Sequence, residues 1–211
     1  SGPLVWAAIY NKIAQNKERY FTYRFVIVPE TIGSISFLSK TSKKKLDEIY
    51  AGIVLTCLGG PSKSISFKHS RRHWLGQESD IDNFVESLCQ HDSKTFKERR
   101  FTPASGSDER QFCSPGINLP FIQIAKTIYN EYDQYHTSLD NKKFMSINSV
   151  MDSIEKIYFF LTLFEKNRSN LISQISGKGE PMLGKRGLYP TINSPLTRNI
   201  FSNDKVDSRE Q

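Results

Sequence analysis

Apolar residues recur at helical spacing in three segments of the chain. They predict helices over residues 4–16, 80–90 and about 150–164. Pro3 suits the first turn of the first helix, because a proline there loses no hydrogen bond. A less regular helix is expected between Gly33 and Ile49, where apolar positions flank a polar stretch.

Short apolar runs rich in β-branched and aromatic residues predict strands. They cover residues 20–28, 52–58, 64–69 and 119–125. The near-continuous apolar end of the first run is typical of a strand that is buried on both faces. Strands that alternate with helices in this way predict an α/β fold, in which helices cover both faces of a mostly parallel sheet.

In open α/β sheets, ligands bind outside the carboxyl ends of the strands. Glu30 directly follows the first predicted strand, where a carboxylate is costly unless it is paired, bound to metal or used in catalysis. Its position suits a general base that faces a cleft, and equally a capping glutamate at the surface. The loop before Leu119 is the other place where we expect chemistry.

The composition limits the class of protein. Its 211 residues suit one domain, and 14 Phe and 9 Tyr indicate an aromatic core. The net charge of +7 comes from dispersed basic residues without a nucleic-acid-binding motif, so we expect no nucleic acid partner. Three cysteines without a CxxC pair argue against a disulfide scaffold and favour a reducing cytoplasm. No apolar run approaches the ~18 residues that span a bilayer, so no membrane partner is expected.

Beyond about Gly177 the composition changes, because glycines and prolines interrupt any hydrophobic period. We expect residues 1–176 to form the folded domain. Residues 177–211 are expected to form an extended arm that ends in a disordered tail.

Four histidines are candidates for metal or acid–base chemistry. His69, His73 and His91 lie in or beside basic or polar stretches without a partner at ligand spacing, so we expect them at the surface. His136 lies in the loop YHTSLDN, where Asp140 could hold the imidazole in the neutral form that binds zinc. A purely structural turn explains the same loop equally well.

The segment GSDERQF, residues 106–112, concentrates charged groups just before the last predicted strand. Asp108 and Glu109 could bind a metal or a substrate amine, and Arg110 could clamp a carboxylate. An ion-paired loop without any ligand accounts for the same spacing.

Taken in order, these segments resemble the co-catalytic zinc aminopeptidases and, more closely, the aminopeptidase-like proteins associated with polysaccharide biosynthesis. The most specific part is an ordered string of residues: Ser107, Asp108, Phe112, Gly116, the strand from Leu119, Tyr135, His136, Thr137 and Asp140. The resemblance covers nearly the whole chain. It implies a zinc exopeptidase-like three-layer sandwich with a mostly parallel mixed sheet, incomplete at the N-terminus.

The resemblance also implies roles for single residues. His136 corresponds to a zinc ligand. In VPETIGS, Glu30 takes the place of the general base and Thr31 replaces a ligand, whereas a shift of one residue makes Glu30 the ligand. Thr56 and Cys57 stand where the dizinc enzymes have an aspartate ligand, so one zinc ion is expected rather than two. Other ligands are expected upstream of residue 1, and the chain looks truncated at both ends.

The implied function is metal-assisted hydrolysis of an N-terminal peptide bond or an amide of an aminoacylated small molecule. Asp108 or Glu109 would lie near the substrate amino group, Arg110 or Tyr135 would line the pocket, and Asp140 would support it. The rival hypothesis keeps the fold and discards the reaction. In that case Thr31 and Thr56 mark a degenerate domain that binds a partner in a biosynthetic assembly. For this chain alone we predict weak metal binding.

Overall fold

The computed structural model describes residues 1–129 and 131–168, so the predicted arm over 177–211 lies outside the described residues. At its centre are the strands β1 (Gly52–Thr56), β2 (Ile65–Lys68), β3 (Phe96–Arg99) and β4 (Phe121–Ala125). They form one mixed sheet in the order β1-β4-β2-β3. β1 runs parallel to β4 and β2 parallel to β3, whereas β2 and β4 are antiparallel. The carboxyl ends of β1 and β4 therefore meet at one edge of the sheet.

Helices surround this sheet. They are α1 (Gly2–Gln15), α2 (Ile32–Lys40), α3 (Lys43–Asp47), α4 (Arg71–Trp74), α5 (Asp80–His91), α6 (Glu109–Phe112) and α7 (Ile147–Arg168). The predicted helices over 4–16, 80–90 and 150–164 are thereby confirmed as α1, α5 and α7. The predicted strands over 52–58, 64–69 and 119–125 are confirmed as β1, β2 and β4.

One face of the sheet packs against α1, α5 and α7 around the main hydrophobic core. Each of these helices contributes an apolar stripe at helical spacing, such as Val5, Ile9 and Ile13 of α1. Phe67 of β2 is fully buried in this core, and its ring centroid lies 4.8 Å from that of Phe160 on α7. We call this side of the sheet the apolar face.

The opposite face of the sheet carries a smaller apolar cluster under α2, α3 and α6. Leu38, Phe112 and Leu119 are its buried members. The ring of Phe112 stacks on Phe121 of β4, with 4.0 Å between ring centroids. Because helices cover both faces, the α/β prediction is confirmed.

The predicted strand over 20–28 is wrong, because its residues pair with no strand of the sheet. Phe21, Tyr23 and Phe25 instead pack against the main core, and the backbone N–H groups of Tyr20 and Phe21 donate to the carboxylate of Glu165. β propensity reports how well a residue fits a half-buried pleated surface. This segment finds such a surface on helices, without a neighbouring strand.

The irregular helix expected between Gly33 and Ile49 is two helices. The extended backbone of Thr41 (φ −92°, ψ 125°) ends α2 before α3 begins. β3, α4 and α6 escaped prediction because segments of four residues are too short to show a period. None of the described helices combines the length and the apolar character that crossing a bilayer requires.

Candidate active site

A cavity of about 320 Å³ opens beside the carboxyl end of β1. We call it the Glu30 cavity, because four residues singled out from the sequence line it together: Glu30, Asp108, Tyr135 and His136. They come from three separate loops, which precede α2, α6 and α7. Val54, Leu55 and Thr56 of β1 form the adjoining wall. The carboxyl edge of the sheet thus gathers the candidate residues, as expected for an α/β fold.

Two hydrogen bonds join the loop that carries Glu30 to the loop before α6. Ser107 Oγ donates to Glu30 Oε1 at 2.9 Å. The backbone N–H of Thr31 donates to Asp108 Oδ1 at 2.7 Å, so each loop supplies one donor and one acceptor. We call this pair of bonds the Ser107–Asp108 clasp. It holds one carboxylate oxygen of Glu30 in place.

Backbone strain accumulates near the same cavity. Thr31, Cys57 and His136 have positive φ angles of 62°, 50° and 57°. A β-branched residue such as Thr31 rarely adopts this region, because its Cβ substituents crowd the backbone. Strained residues persist where the surrounding structure holds them, and they are frequent at functional sites.

Tyr135 lies beside His136 and interacts electrostatically with Glu30, which belongs to the loop before α2. Its ring stacks on that of His136, with 3.9 Å between ring centroids. Burial is the main cause that raises the pKa of Tyr135, and electrostatic interaction with nearby acidic groups, including the Glu30 carboxylate, raises it further. The phenol therefore keeps its proton at neutral pH and can donate a hydrogen bond in the Glu30 cavity.

Asp140 does not line the Glu30 cavity. It lines a neighbouring cavity of about 360 Å³, which shares Leu55 and Thr56 with the first. The hydroxyl of Tyr132 donates to Asp140 Oδ2 at 3.5 Å and to Cys57 Sγ at 3.7 Å. Asp140 therefore contacts Tyr132, which belongs to the same loop between β4 and α7 as His136.

Glu109 and Arg110 do not line the Glu30 cavity either. The side chain of Glu109 is 0% exposed, and its Oε1 lies 2.8 Å from Lys68 Nζ. The guanidinium of Arg110 donates to the backbone carbonyls of Pro103 and Ser107 within its own loop. Both residues therefore support the loop that carries Asp108 from behind.

Residues 1–167 match a protein family described as a domain of unknown function, DUF4910. The chain belongs to this family. The match covers β1 to β4 and all but the last residue of α7, and so every element that builds the Glu30 cavity in this DUF4910 domain.

A curated relative from Clostridium acetobutylicum is 38% identical over 192 residues, which are 91% of this chain and 42% of the relative. Its provisional name is that of a polysaccharide biosynthesis protein with an aminopeptidase-like domain. A solved structure from the same organism, provisionally named a peptidase, matches at 36% identity and a TM-score of 0.71. It covers 87% of this chain and 41% of that chain. The resemblance to aminopeptidase-like proteins is confirmed, and the chain spans less than half the length of these relatives.

The zinc aminopeptidase of Bacillus subtilis has a similar fold, with a TM-score of 0.50 over 66% of this chain and 34% of that chain. The two chains are 12% identical, so this likeness concerns the fold alone. Together with the Clostridium structure, it shows that the DUF4910 domain has an aminopeptidase-like α/β fold.

The donors that the DUF4910 domain presents limit its metal binding. Among the described residues, no three His, Cys, Asp or Glu side chains lie together so that they could hold a metal ion. Zinc sites in proteins use three or four such donors. Glu30 and Asp108 also each accept a hydrogen bond within the clasp. The described residues therefore do not by themselves complete a zinc site.

The prediction of a surface position for His69 is wrong, since this residue is only 1% exposed. Its Nδ1 lies 3.0 Å from Asp82 Oδ1 and its Nε2 lies 2.9 Å from Glu98 Oε2. Burial alone would lower the pKa of His69, but the hydrogen bonds with both carboxylates outweigh burial and raise it. The alternation of Ile65 and Phe67 in β2 with His69, the residue that directly follows β2, could have revealed this burial, because alternate residues of an extended chain share a face.

Asp82 shows how the fold stabilises the partner of His69. Burial alone would raise its pKa, but hydrogen bonds from His69, Ser70 and Ser79 outweigh burial and lower it. A carboxylate that accepts several hydrogen bonds remains ionised even when it is buried. His69 and Asp82 are therefore a buried charged pair between the end of β2 and α5, and the partly exposed Glu98 of β3 binds the other ring nitrogen of His69.

Proposed function

We propose that the Glu30 cavity catalyses aminopeptidase-like hydrolysis of an amide bond, in an N-terminal peptide or an aminoacylated small molecule. The observation that carries this proposal is the convergence of Glu30, Asp108, Tyr135 and His136 on one cavity at the carboxyl edge of β1. The name of the Clostridium relative supports an amide of a glycan precursor as the substrate.

In this proposal, Glu30 is the general base. Its carboxylate takes a proton from the water that attacks the substrate carbonyl carbon, and passes that proton to the leaving amine nitrogen as the C–N bond breaks. Ser107 orients the carboxylate through its hydrogen bond to Oε1. In the same proposal, the phenol of Tyr135, which lines the cavity, donates a hydrogen bond to the substrate carbonyl oxygen.

We propose His136 as the residue of this cavity that would bind zinc, because imidazole nitrogen is a preferred zinc donor. A single ion fits better than two, because Thr31 and Thr56 have no side-chain donor of the kind zinc prefers. A complete site needs donors beyond those of the described residues.

The three free cysteines suit the reducing cytoplasm expected from the sequence.

The test combines zinc analysis of the purified protein with hydrolysis of aminoacyl chromogenic substrates by wild type and by Glu30→Gln. Loss of a general base is expected to lower kcat by about 10²- to 10⁴-fold. Glu78→Gln removes an exposed carboxylate and serves as the matched control, with unchanged kcat. Equal rates for Glu30→Gln and wild type would contradict the assigned base.

The second candidate function is a binding module that retains the fold without the reaction. The lack of a three-donor group among the described residues favours it. Calorimetry with aminoacyl ligands separates the two functions. Binding without turnover by both wild type and Glu30→Gln, with zinc supplied in the buffer, would establish the binding module.

A further inference from the structure

A buried ion pair lies beneath the loop that supplies the Ser107–Asp108 clasp. Lys68 of β2 and Glu109 of α6 are 1% and 0% exposed in their side chains, and Lys68 Nζ lies 2.8 Å from Glu109 Oε1. The same ammonium donates to the backbone carbonyls of Thr102, at 3.1 Å, and Ser105. One lysine therefore holds the loop at two points besides the ion pair.

The carboxylate of Glu109 holds the end of the same loop. Its Oε2 accepts from the backbone N–H of Ser107 at 3.0 Å and from Gln123 Nε2 at 2.9 Å. Gln123 Oε1 in turn accepts from Arg99 Nη2 at 2.9 Å. The loop is thus anchored through Glu109 to β4 and β3, the rigid part of the fold.

Gly106 shows how closely the loop lies against this pair. A Cβ at Gly106 would collide with Glu109 Oε1, and would lie only 2.6 Å from Lys68 Nζ. The residue next to Ser107 therefore has no room for a side chain while the ion pair is in place. Loop and ion pair form one packed unit.

Stability alone gives a weak reason for such a pair. Desolvation of two charges offsets most of their attraction, and well-packed apolar residues of similar volume are often as stable. What an apolar pair cannot do is bind the carbonyls of Thr102 and Ser105 and the N–H of Ser107. Those contacts determine where Ser107 and Asp108 lie.

We propose that Lys68 and Glu109 are positioning residues, which hold the loop over 102–108 so that Ser107 and Asp108 clasp Glu30 and Thr31. Their catalytic consequence rests on the proposed function of the Glu30 cavity, whereas their structural consequence does not. Ser107 connects the ion pair to Glu30. Its backbone N–H donates to the Glu109 carboxylate, and its hydroxyl donates to the Glu30 carboxylate.

The test replaces both residues, in Lys68→Met/Glu109→Met, and follows hydrogen exchange of the Thr31 amide by NMR. Without the anchored loop, the bond from Thr31 N–H to Asp108 weakens, and exchange is expected to accelerate about tenfold or more. The matched control is Lys126→Met/Asp152→Met, which removes another lysine–carboxylate pair, with 2.6 Å between Nζ and Oδ2. It is expected to leave the Thr31 amide unchanged.

Circular dichroism and urea unfolding show whether the double variant keeps its fold. Glu109→Gln is a milder second variant, which keeps the side-chain shape and is expected to accelerate Thr31 exchange by a smaller factor. Unchanged Thr31 exchange in a folded double variant would overturn the inference. Failure of both variants to fold would overturn it too, because the pair would then serve the fold as a whole.

Hydrolysis separates this inference from the proposed function. With an active wild type, the double variant is expected to lose kcat by about tenfold, with a smaller change in KM, since the loop orients Glu30 through Ser107. If wild type is inactive while Thr31 exchange accelerates in the variant, the proposed function fails and the positioning role stands. An active wild type with an equally active double variant would overturn the positioning role.

Discussion

The two faces of the sheet are both buried, yet they differ in chemistry. On β2, Ile65 and Phe67 face the main core, whereas Ser66 and Lys68 face the opposite side. On β4, Ile122 faces that core and Gln123 bonds Glu109 beneath α6. We call the second side the polar face. The comparison teaches that alternation of apolar and polar residues does not show that the polar side meets water.

The two faces also contribute differently to the stability of the domain and to the position of the Ser107 loop. The apolar face gathers mainly hydrocarbon side chains, so it stabilises the domain chiefly through burial. The polar face orders its groups through hydrogen bonds of fixed geometry, and these bonds reach the loop that carries Ser107. Substitutions on the two faces should therefore have separable effects on stability and on the Glu30 cavity.

The largest expected effect is on the apolar face. Phe67→Ala leaves a void against Phe160 and Phe96, and is expected to lower the free energy of unfolding by about 4 kcal/mol. Urea unfolding measures this loss. Exchange of the Thr31 amide, measured under native conditions, should stay as in wild type. Faster exchange of the Thr31 amide under native conditions would show that the two faces are coupled.

A somewhat smaller effect is expected on the polar face. Lys68→Met alone leaves the Glu109 carboxylate buried without its cation, at an expected cost of about 3 kcal/mol. Adding Glu109→Met should recover a large part of that loss, because no uncompensated charge then remains. A double variant as unstable as Lys68→Met would show that the lost loop contacts dominate.

The smallest expected effect concerns His69, the charged group at the margin of the apolar face. Its pKa is raised above the ordinary 6.5 by its two carboxylates. The stabilisation is therefore fully present below about pH 6.5 and is lost as the pH rises through the folded-state pKa. Urea unfolding as a function of pH should show this decline in wild type and not in His69→Gln. His91→Gln, at an exposed histidine, provides the control and should leave the decline as in wild type. If the decline were also unchanged in His69→Gln, its assignment to His69 would be contradicted.

Much of the fold could be predicted because burial patterns are local. The stripes of α1, α5 and α7 repeat over many residues, and they record the face that each helix buries. The segment 20–28 was predicted wrongly because strand pairing, unlike a helical stripe, depends on distant residues. Its apolar run predicted a strand buried on both faces, whereas in the structure Phe21, Tyr23 and Phe25 are half-buried and Val26 and Ile27 are exposed. Strand pairing depends on whether another strand lies beside the segment.

The candidate site divides in the same way. Residue type, position and family resemblance were enough to select Glu30, Asp108, Tyr135 and His136 from the sequence. That these four residues line one cavity could not be predicted. Asp140 and Glu109 were selected on the same grounds and lie elsewhere, one beside Tyr132 and one beneath the loop. Residue type indicates what a side chain can do, while its partners come from distant segments.

The three long helices, the strands β1, β2 and β4 and the family resemblance were determined by the residues in sequence, because hydrophobic periods and ordered motifs are properties of neighbouring positions. The tertiary structure alone decided that Lys68 meets Glu109, that His69 is enclosed by Asp82 and Glu98, and that Ser107 reaches Glu30. These contacts join residues 13 to 77 positions apart. No local pattern records them, because the energy of a buried charge depends on groups that only folding brings near it.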